Sequence, residues 1–252
     1  MKKKTRWPIY LIIGLIITFI AFTVPLPYYI EVPGASEDIR KVLQVNNQPD
    51  QEEGSYQFVT VGVKHARLVD LVYAWLTPFT DIRSAKEMTG GSSDAEFMRI
   101  NQFYMETSQN MAKYQGLKAA GKEIELKYLG VYVLTVTDNS TFKGILNIAD
   151  TVTAVNDKTF ESSKEMVDYV NSQTLGDKVK VTYQEDGKVK TAEGKIITLE
   201  NGKNGIGIGL IDRTEVSSDV PIKFSTAGIG GPSAGMMFSL SIYTQIADPT
   251  LR

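Results

Sequence analysis

The sequence contains no cysteine, which removes disulfides, cysteine-ligated zinc and a thiol nucleophile together. It has a single histidine, His65, so an all-histidine metal site is out of reach and no metal is expected, a carboxylate site for a hard cation alone being left open. There is no long basic run: 27 Lys and Arg stand against 29 Asp and Glu, and the clustered cationic footprint of a nucleic-acid partner is missing. No G-x-x-x-x-G-K-[ST] string occurs, so neither a nucleotide nor any other cofactor is expected. What remains is a chain of 252 residues, 42% hydrophobic and 22% charged, enough for one large or two small cores.

The first strong pattern is apolar. From Trp7 to Ile30 no residue is charged, and these 24 residues as a helix would reach roughly 36 Å, against about 30 Å for the hydrocarbon core of a bilayer. Trp7 and Tyr10 stand at one end and Tyr28 and Tyr29 at the other, where amphipathic rings favour the membrane interface. Lys2, Lys3, Lys4 and Arg6 precede the segment and Glu31 follows it. The positive-inside rule then predicts a cytoplasmic tail at 1–6, a single transmembrane helix at 7–30 and an extracellular body held at the cell membrane. A cleaved signal peptide is the other reading of such a segment. It has a shorter apolar core and a small-x-small cleavage site, whereas AFTVPLP offers Ala21 followed by two prolines.

Residues 31–127 read as a mixed α/β outer region. The alternation of Tyr56, Phe58, Thr60 and Gly62 with Val59, Val61 and Val63 predicts a strand over 55–64. Beyond the GGSS break, Phe97, Ile100, Tyr104, Met111, Tyr114 and Leu117 recur at helical spacing, which predicts an amphipathic helix over 94–120 with Asp94 as its cap and that stripe as core. His65 is read as a packing or surface residue.

A separate unit is expected over 128–198. The alternating run Gly130 to Val136 opens it, a helix is expected around Ser162–Gln173, and Glu185, Asp186 and Gly187 provide a turn between two alternating strands. Tyr128-Leu129-Gly130-Val131, followed by Gly144, Leu146, Asp150 and Val155-Asn156, resembles the carboxylate-binding loop and the G-x-L-x-x-G-D-x-I-x-x-V-N-G pattern of bacterial PDZ domains. Ala149 and Asp157 stand where that pattern usually has glycine. The resemblance implies peptide recognition by strand addition beside residues 130–136, with Leu129, Gly130, Val131 and Val133 forming the peptide site. A small α+β domain that binds nothing is the alternative.

Residues 199–252 carry the reactive-looking string. Two strands are expected in GIGIGLIDRTEV and DVPIKFS, and then Gly228, Gly230, Gly231 and Pro232 lead to Ser233 and a helical run through Met236, Met237, Leu240 and Tyr243. A serine at a helix N-terminus has free N–H groups near it, and Gly230 and Gly231 are the backbone candidates for an oxyanion hole. The string also fits G-x-S-x-G, but a hydrolase of that type needs a histidine after the serine, and the nineteen residues following Ser233 contain none. A serine without histidine can use a lysine made neutral by desolvation. An ordinary helix cap and a weak phosphate-cradling loop are the non-catalytic alternatives for this string.

The six residues Gly230 to Gly235, read GGPSAG, resemble the nucleophile motif of Lon-type Ser/Lys proteases. Together with the apolar N-terminus and the PDZ-like unit, the chain is similar to the membrane-anchored, PDZ-containing Lon-like proteases of Gram-positive bacteria. The resemblance implies an α+β fold ending in the first part of a Lon-like proteolytic domain. It also implies an ATP-independent serine endopeptidase acting on extracellular peptides or proteins, with Ser233 as nucleophile. In that family the catalytic lysine lies several tens of residues past the serine, so the given sequence is expected to be C-terminally truncated and inactive alone. An anchored PDZ module without catalysis is the alternative.

Overall fold

The computed structural model describes residues 6–248 and 250–251. Lys2, Lys3 and Lys4, on which the expected orientation rests, lie outside the described residues. The helices in chain order are α1 (Trp7–Thr23), α2 (Leu68–Leu76), α3 (Ala85–Thr89), α4 (Asp94–Ala119), α5 (Ser163–Asn171) and α6 (Gly235–Ile246). The strands are β1 (Pro25–Asp38), β2 (Leu43–Val45), β3 (Gln57–Arg67), β4 (Asp81–Ser84), β5 (Glu125–Val136), β6 (Thr151–Val155), β7 (Lys178–Glu185), β8 (Lys188–Lys195), β9 (Ile197–Thr198), β10 (Asn204–Gly205), β11 (Ile208–Ser217) and β12 (Ile222–Phe224). This is a mixed α/β chain.

It forms two compact units, Met1–Ser36 with Val59–Ser93 and Glu37–Phe58 with Asp94–Arg252. Boundaries at 127 and 198 do not coincide with this division, because partners distant in sequence complete the same sheets.

In the first unit α1 has 17 residues, not the expected 24. Pro25 and Pro27 cannot continue a helix, so residues 25–30 enter β1. At about 1.5 Å per residue α1 reaches roughly 25 Å, and among the described residues no helix is long and apolar enough to cross a membrane. The unit's sheet has the order β3-β1-β4, with β1 and β4 antiparallel from Tyr28 opposite Ser84 to Glu31 opposite Asp81. Tyr29 and Ile30 are buried, and the His65 ring stacks on Tyr29 at a centroid distance of 4.4 Å, a packing position. The alternation in β3 points its valines outward, with Val59 at 75% and Val61 at 68% exposure.

The second unit holds an antiparallel five-stranded sheet in the order β11-β5-β6-β7-β8. Its core gathers Val131, Val133, Phe142, Leu146, Val152, Val155, Val181 and Ile196 under α5 residues Met166 and Val170. Ser162 caps α5 by accepting the Glu165 N–H at 3.2 Å, and Asp186 and Gly187, both at positive φ, make the two-residue hairpin turn that matches strand twist. Ala149 (φ 86°) and Asp157 (φ 61°) also adopt the left-handed conformation, the physical reason a PDZ-like pattern favours glycine at both places.

A second core joins α4 and α6 to β2 and β12, which pair antiparallel from Leu43 opposite Phe224 to Val45 opposite Ile222. The helices cross closely at Gly116, where an added Cβ would stand 2.8 Å from the Ser239 carbonyl oxygen and 2.9 Å from Ile242 Cβ. Of the six residues expected as the α4 core stripe only Leu117 is buried; the buried set is Phe103, Met105, Ala112, Gly116 and Leu117. The difference arises because α4 is packed on more than one side. Phe103 stacks on Tyr132 of the sheet at 4.0 Å, while Ala112 and Leu117 belong to the core shared with α6.

Candidate functional site

The residues expected to hold a peptide are brought together, but not as a groove. Val131 and Val133 are fully buried in the sheet core and Leu129 is half-buried. Gly130 sits at φ 133°, with a hypothetical Cβ 2.2 Å from the Val152 carbonyl oxygen. Nor is their strand open. β11 pairs with β5 along its whole length, from Ile208 opposite Val136 to Ser217 opposite Glu125, and β6 takes the other side at Val131 and Tyr132. Strand addition beside residues 130–136 is therefore excluded by the chain's own β11.

The edge strands are β11 and β8. On β11 the end nearer Ser217 is partly capped by α4, where Thr107 Oγ1 donates to the Asp212 carbonyl at 3.1 Å and Asn110 Nδ2 donates to the Thr214 carbonyl at 2.8 Å. Among the described residues, Ile208–Ile211 has no hydrogen bond beyond its pairing with β5. At the start of this stretch Gly207 has φ 73°. The Ile206 carbonyl accepts Ser140 Oγ at 2.6 Å and the Gly207 carbonyl accepts the Thr137 N–H at 2.9 Å, whereas the N–H groups of Ile206 and Gly207 have no partner among the described residues. Both residues are buried. The N-terminus of α5 lies against the same strand, the Ser163 N–H donating to Asp212 Oδ1 at 3.3 Å. Sequence reasoning took GIGIGL for a plain strand, whereas Ile206 and Gly207 separate β10 from β11, Gly207 at positive φ being the residue that requires glycine.

Residues 102–196 match the PDZ domain family. This chain carries a PDZ domain. The match ends before β11, so residues 208–217 complete the PDZ sheet from outside the matched range. The PDZ domain of an SdrC-like protein from Listeria monocytogenes is similar at 35% identity, covering 34% of this chain and 93% of that one with a TM-score of 0.33. That of an SdrC-like protein from Listeria innocua is similar at 38% identity, covering 32% and 92% with a TM-score of 0.31. No curated protein matches the chain.

On the opposite side of this PDZ sheet from its core lies a cavity of about 500 Å³ between α4, the 147–151 segment and the β7–β8 turn. Its wall includes Tyr132, whose hydroxyl donates to the Glu106 carboxylate at 3.1 Å; burial and that carboxylate push the phenol up to about 12. Arg213 lies 5.2 Å over the Tyr132 ring and donates to Thr151 Oγ1 at 2.8 Å. Asp150 on the same wall is raised above the usual carboxylate range by burial, against the pull of the Asn147 N–H. Among the described residues no cluster of three acidic or histidine side chains could hold a metal ion.

Ser233 lies in a turn, exposed, two residues before α6 begins at Gly235. It is not the helix cap: Ala234 occupies that position and no side chain caps it. The Ser233 hydroxyl has no hydrogen-bond partner among the described residues. Of the two expected oxyanion donors, the Gly231 N–H is already given to the Asn101 carbonyl at 2.9 Å, while that of Gly230 is unpaired among the described residues. α4 also fixes the loop through Ser108, whose hydroxyl donates to the Pro232 carbonyl at 3.0 Å. Burial lowers the affinity of Lys113 for its proton, partly offset by Glu106, but its ammonium rests 5.5 Å over the Phe224 ring and makes no hydrogen bond to Ser233.

Proposed function

We propose that this protein is a membrane-attached peptide-recognition module whose PDZ domain takes extended peptides along β11 at Ile208–Ile211, on the extracellular side. The open edge of β11 at Ile208–Ile211 is the observation that carries this. A strand can add there through its own backbone hydrogen bonds. Membrane attachment is supported by α1, which has no buried residue and lies within the uncharged stretch from Trp7 to Ile30 preceded by Arg6. With that orientation the partners are extracellular peptides or proteins.

Amide resonances followed while peptides with free C-termini are added test the PDZ reading. The amides of residues 206–211 are expected to shift. N-methylation of the peptide's backbone amides should weaken binding about tenfold, the equivalent of one or two lost ladder hydrogen bonds. Shifts confined to β8, or none anywhere, would overturn it.

A second reading has its own observation. The exposed, unpaired hydroxyl of Ser233, in a glycine-rich loop ahead of α6, supports a Lon-like, ATP-independent serine endopeptidase to which the PDZ domain delivers substrate. With the Lon-type lysine supplied in the same protein, a hydroxyl-reactive phosphonate probe is expected to label Ser233 and to leave Ser233→Ala unlabelled. Equal labelling of both proteins, or of neither, would rule out an activated serine.

A further inference from the structure

Helix α2 is amphipathic the wrong way round for a water-soluble surface. Its single buried residue is Asp70, whose carboxylate accepts from Lys64 Nζ at 2.9 Å and from the Arg67 N–H at 2.9 Å. The side chains turned outward are Leu68, Val72, Tyr73, Trp75 and Leu76. Four of these, Leu68, Val72, Trp75 and Leu76, recur at the spacing of one helical face, and Phe79 is exposed in the turn beyond the helix. Trp75 is 84% and Phe79 90% exposed. Phe79 also has φ 60°, a left-handed conformation costing a bulky residue about 1–2 kcal/mol. Phe79 thus combines a strained backbone with an outward ring, the kind of outlier from which a functional hypothesis is drawn.

From this we infer that α2 and the turn carrying Phe79 form a second membrane-contacting element, lying in the interface of the bilayer rather than crossing it. The inference rests on the reading of α1 as membrane-embedded. α1 and α2 are neighbours within the first unit, so the outward face of α2 adjoins the apolar surface of α1, none of whose residues is buried. Composition favours lipid over a second protein surface: the outward side chains of α2 include Trp75 and Tyr73 and no charge, as in interfacial helices, and the exposed Arg67 stands at the start of the helix to meet anionic headgroups. At roughly 25 Å, α1 alone falls short of the hydrocarbon thickness of about 30 Å, and a surface-seated α2 gives the unit added purchase on the bilayer.

The chain has two tryptophans, Trp7 and Trp75, so each element has its own reporter. The full chain is reconstituted in vesicles of phosphatidylcholine and phosphatidylglycerol with brominated acyl chains. Trp7→Phe leaves Trp75 to report on α2, and Trp75→Phe leaves Trp7 to report on α1. We expect both emissions to be quenched relative to unbrominated lipid, and Phe79→Ser in the Trp7→Phe background to reduce the quenching of Trp75. Quenching of Trp7 without Trp75 would overturn the inference and leave the α1 reading standing; quenching of neither would overturn both. A Trp75 emission that is blue-shifted yet insensitive to bromine would mean that a second copy of this chain covers the face, and would equally overturn it.

Discussion

Alanine at Gly130 is expected to unfold the PDZ sheet at room temperature or leave it barely stable. Two penalties coincide at this position. The backbone is at φ 133°, and a Cβ would stand 2.2 Å from the Val152 carbonyl oxygen, with the Val152 carbonyl carbon at 3.1 Å. The obstacle is backbone of the neighbouring strand β6, so no side-chain rotation relieves it. Backbone strain and overpacking together should cost about 3 kcal/mol or more, a large part of the roughly 5–15 kcal/mol that holds an ordinary domain together. Gly144→Ala is the control: its φ is 76° but nothing lies within 4 Å of the added carbon, so only the strain of about 1–2 kcal/mol remains. Urea denaturation of both variants separates clash from strain. Equal midpoints for the two would show that the β5–β6 approach at Gly130 can relax.

Phe238→Ala is expected to cost about 3–5 kcal/mol, the range for removing a large aromatic from a packed core. Phe238 is fully buried and is touched by two other rings, Phe224 at 4.9 Å and Phe58 edge-on at 5.8 Å between centroids. Those partners come from β12 and β3, so a single side chain ties two distant segments to α6. Because α6 begins at Gly235, directly after the Ser233 turn, loss of Phe238 should also release that turn. Thermal melting measures the first effect and limited proteolysis within residues 226–235 the second. Met236→Ala, on the same helix but 70% exposed, should change stability by less than about 0.5 kcal/mol. A cost at Met236 comparable to that at Phe238 would mean that α6 packs through another face.

Much of the local structure was legible because it depends on near neighbours. The turn chemistry of Asp186-Gly187, the helix around Ser162–Gln173 and the long helix after the GGSS break are each determined within a few residues, and the structure has all three. So are the residues of the PDZ pattern, whose Asp150, Val152 and Val155 fall where a buried strand and its entry turn require them. The prolines at 25 and 27 are legible too: they end α1, whereas the absence of charge up to Ile30 carries no stop signal.

The position of the candidate peptide site was decided by tertiary structure alone. Alternation marks β5 as a strand with a buried face, but the partner on its open edge is β11, more than seventy residues later, and no local pattern encodes such a pairing. The sequence by itself determined that a PDZ-type sheet forms, that the N-terminus is apolar and that a glycine-rich turn carries Ser233. Only the fold decided that β11 occupies the edge of β5 and so moves the open edge to Ile208–Ile211. It alone turned the apolar face of α2 outward, and it alone committed the Gly231 N–H to Asn101. In each case the reason is the same: hydrogen bonds and buried faces are satisfied by whichever segment the topology brings close, and sequence distance does not limit that choice.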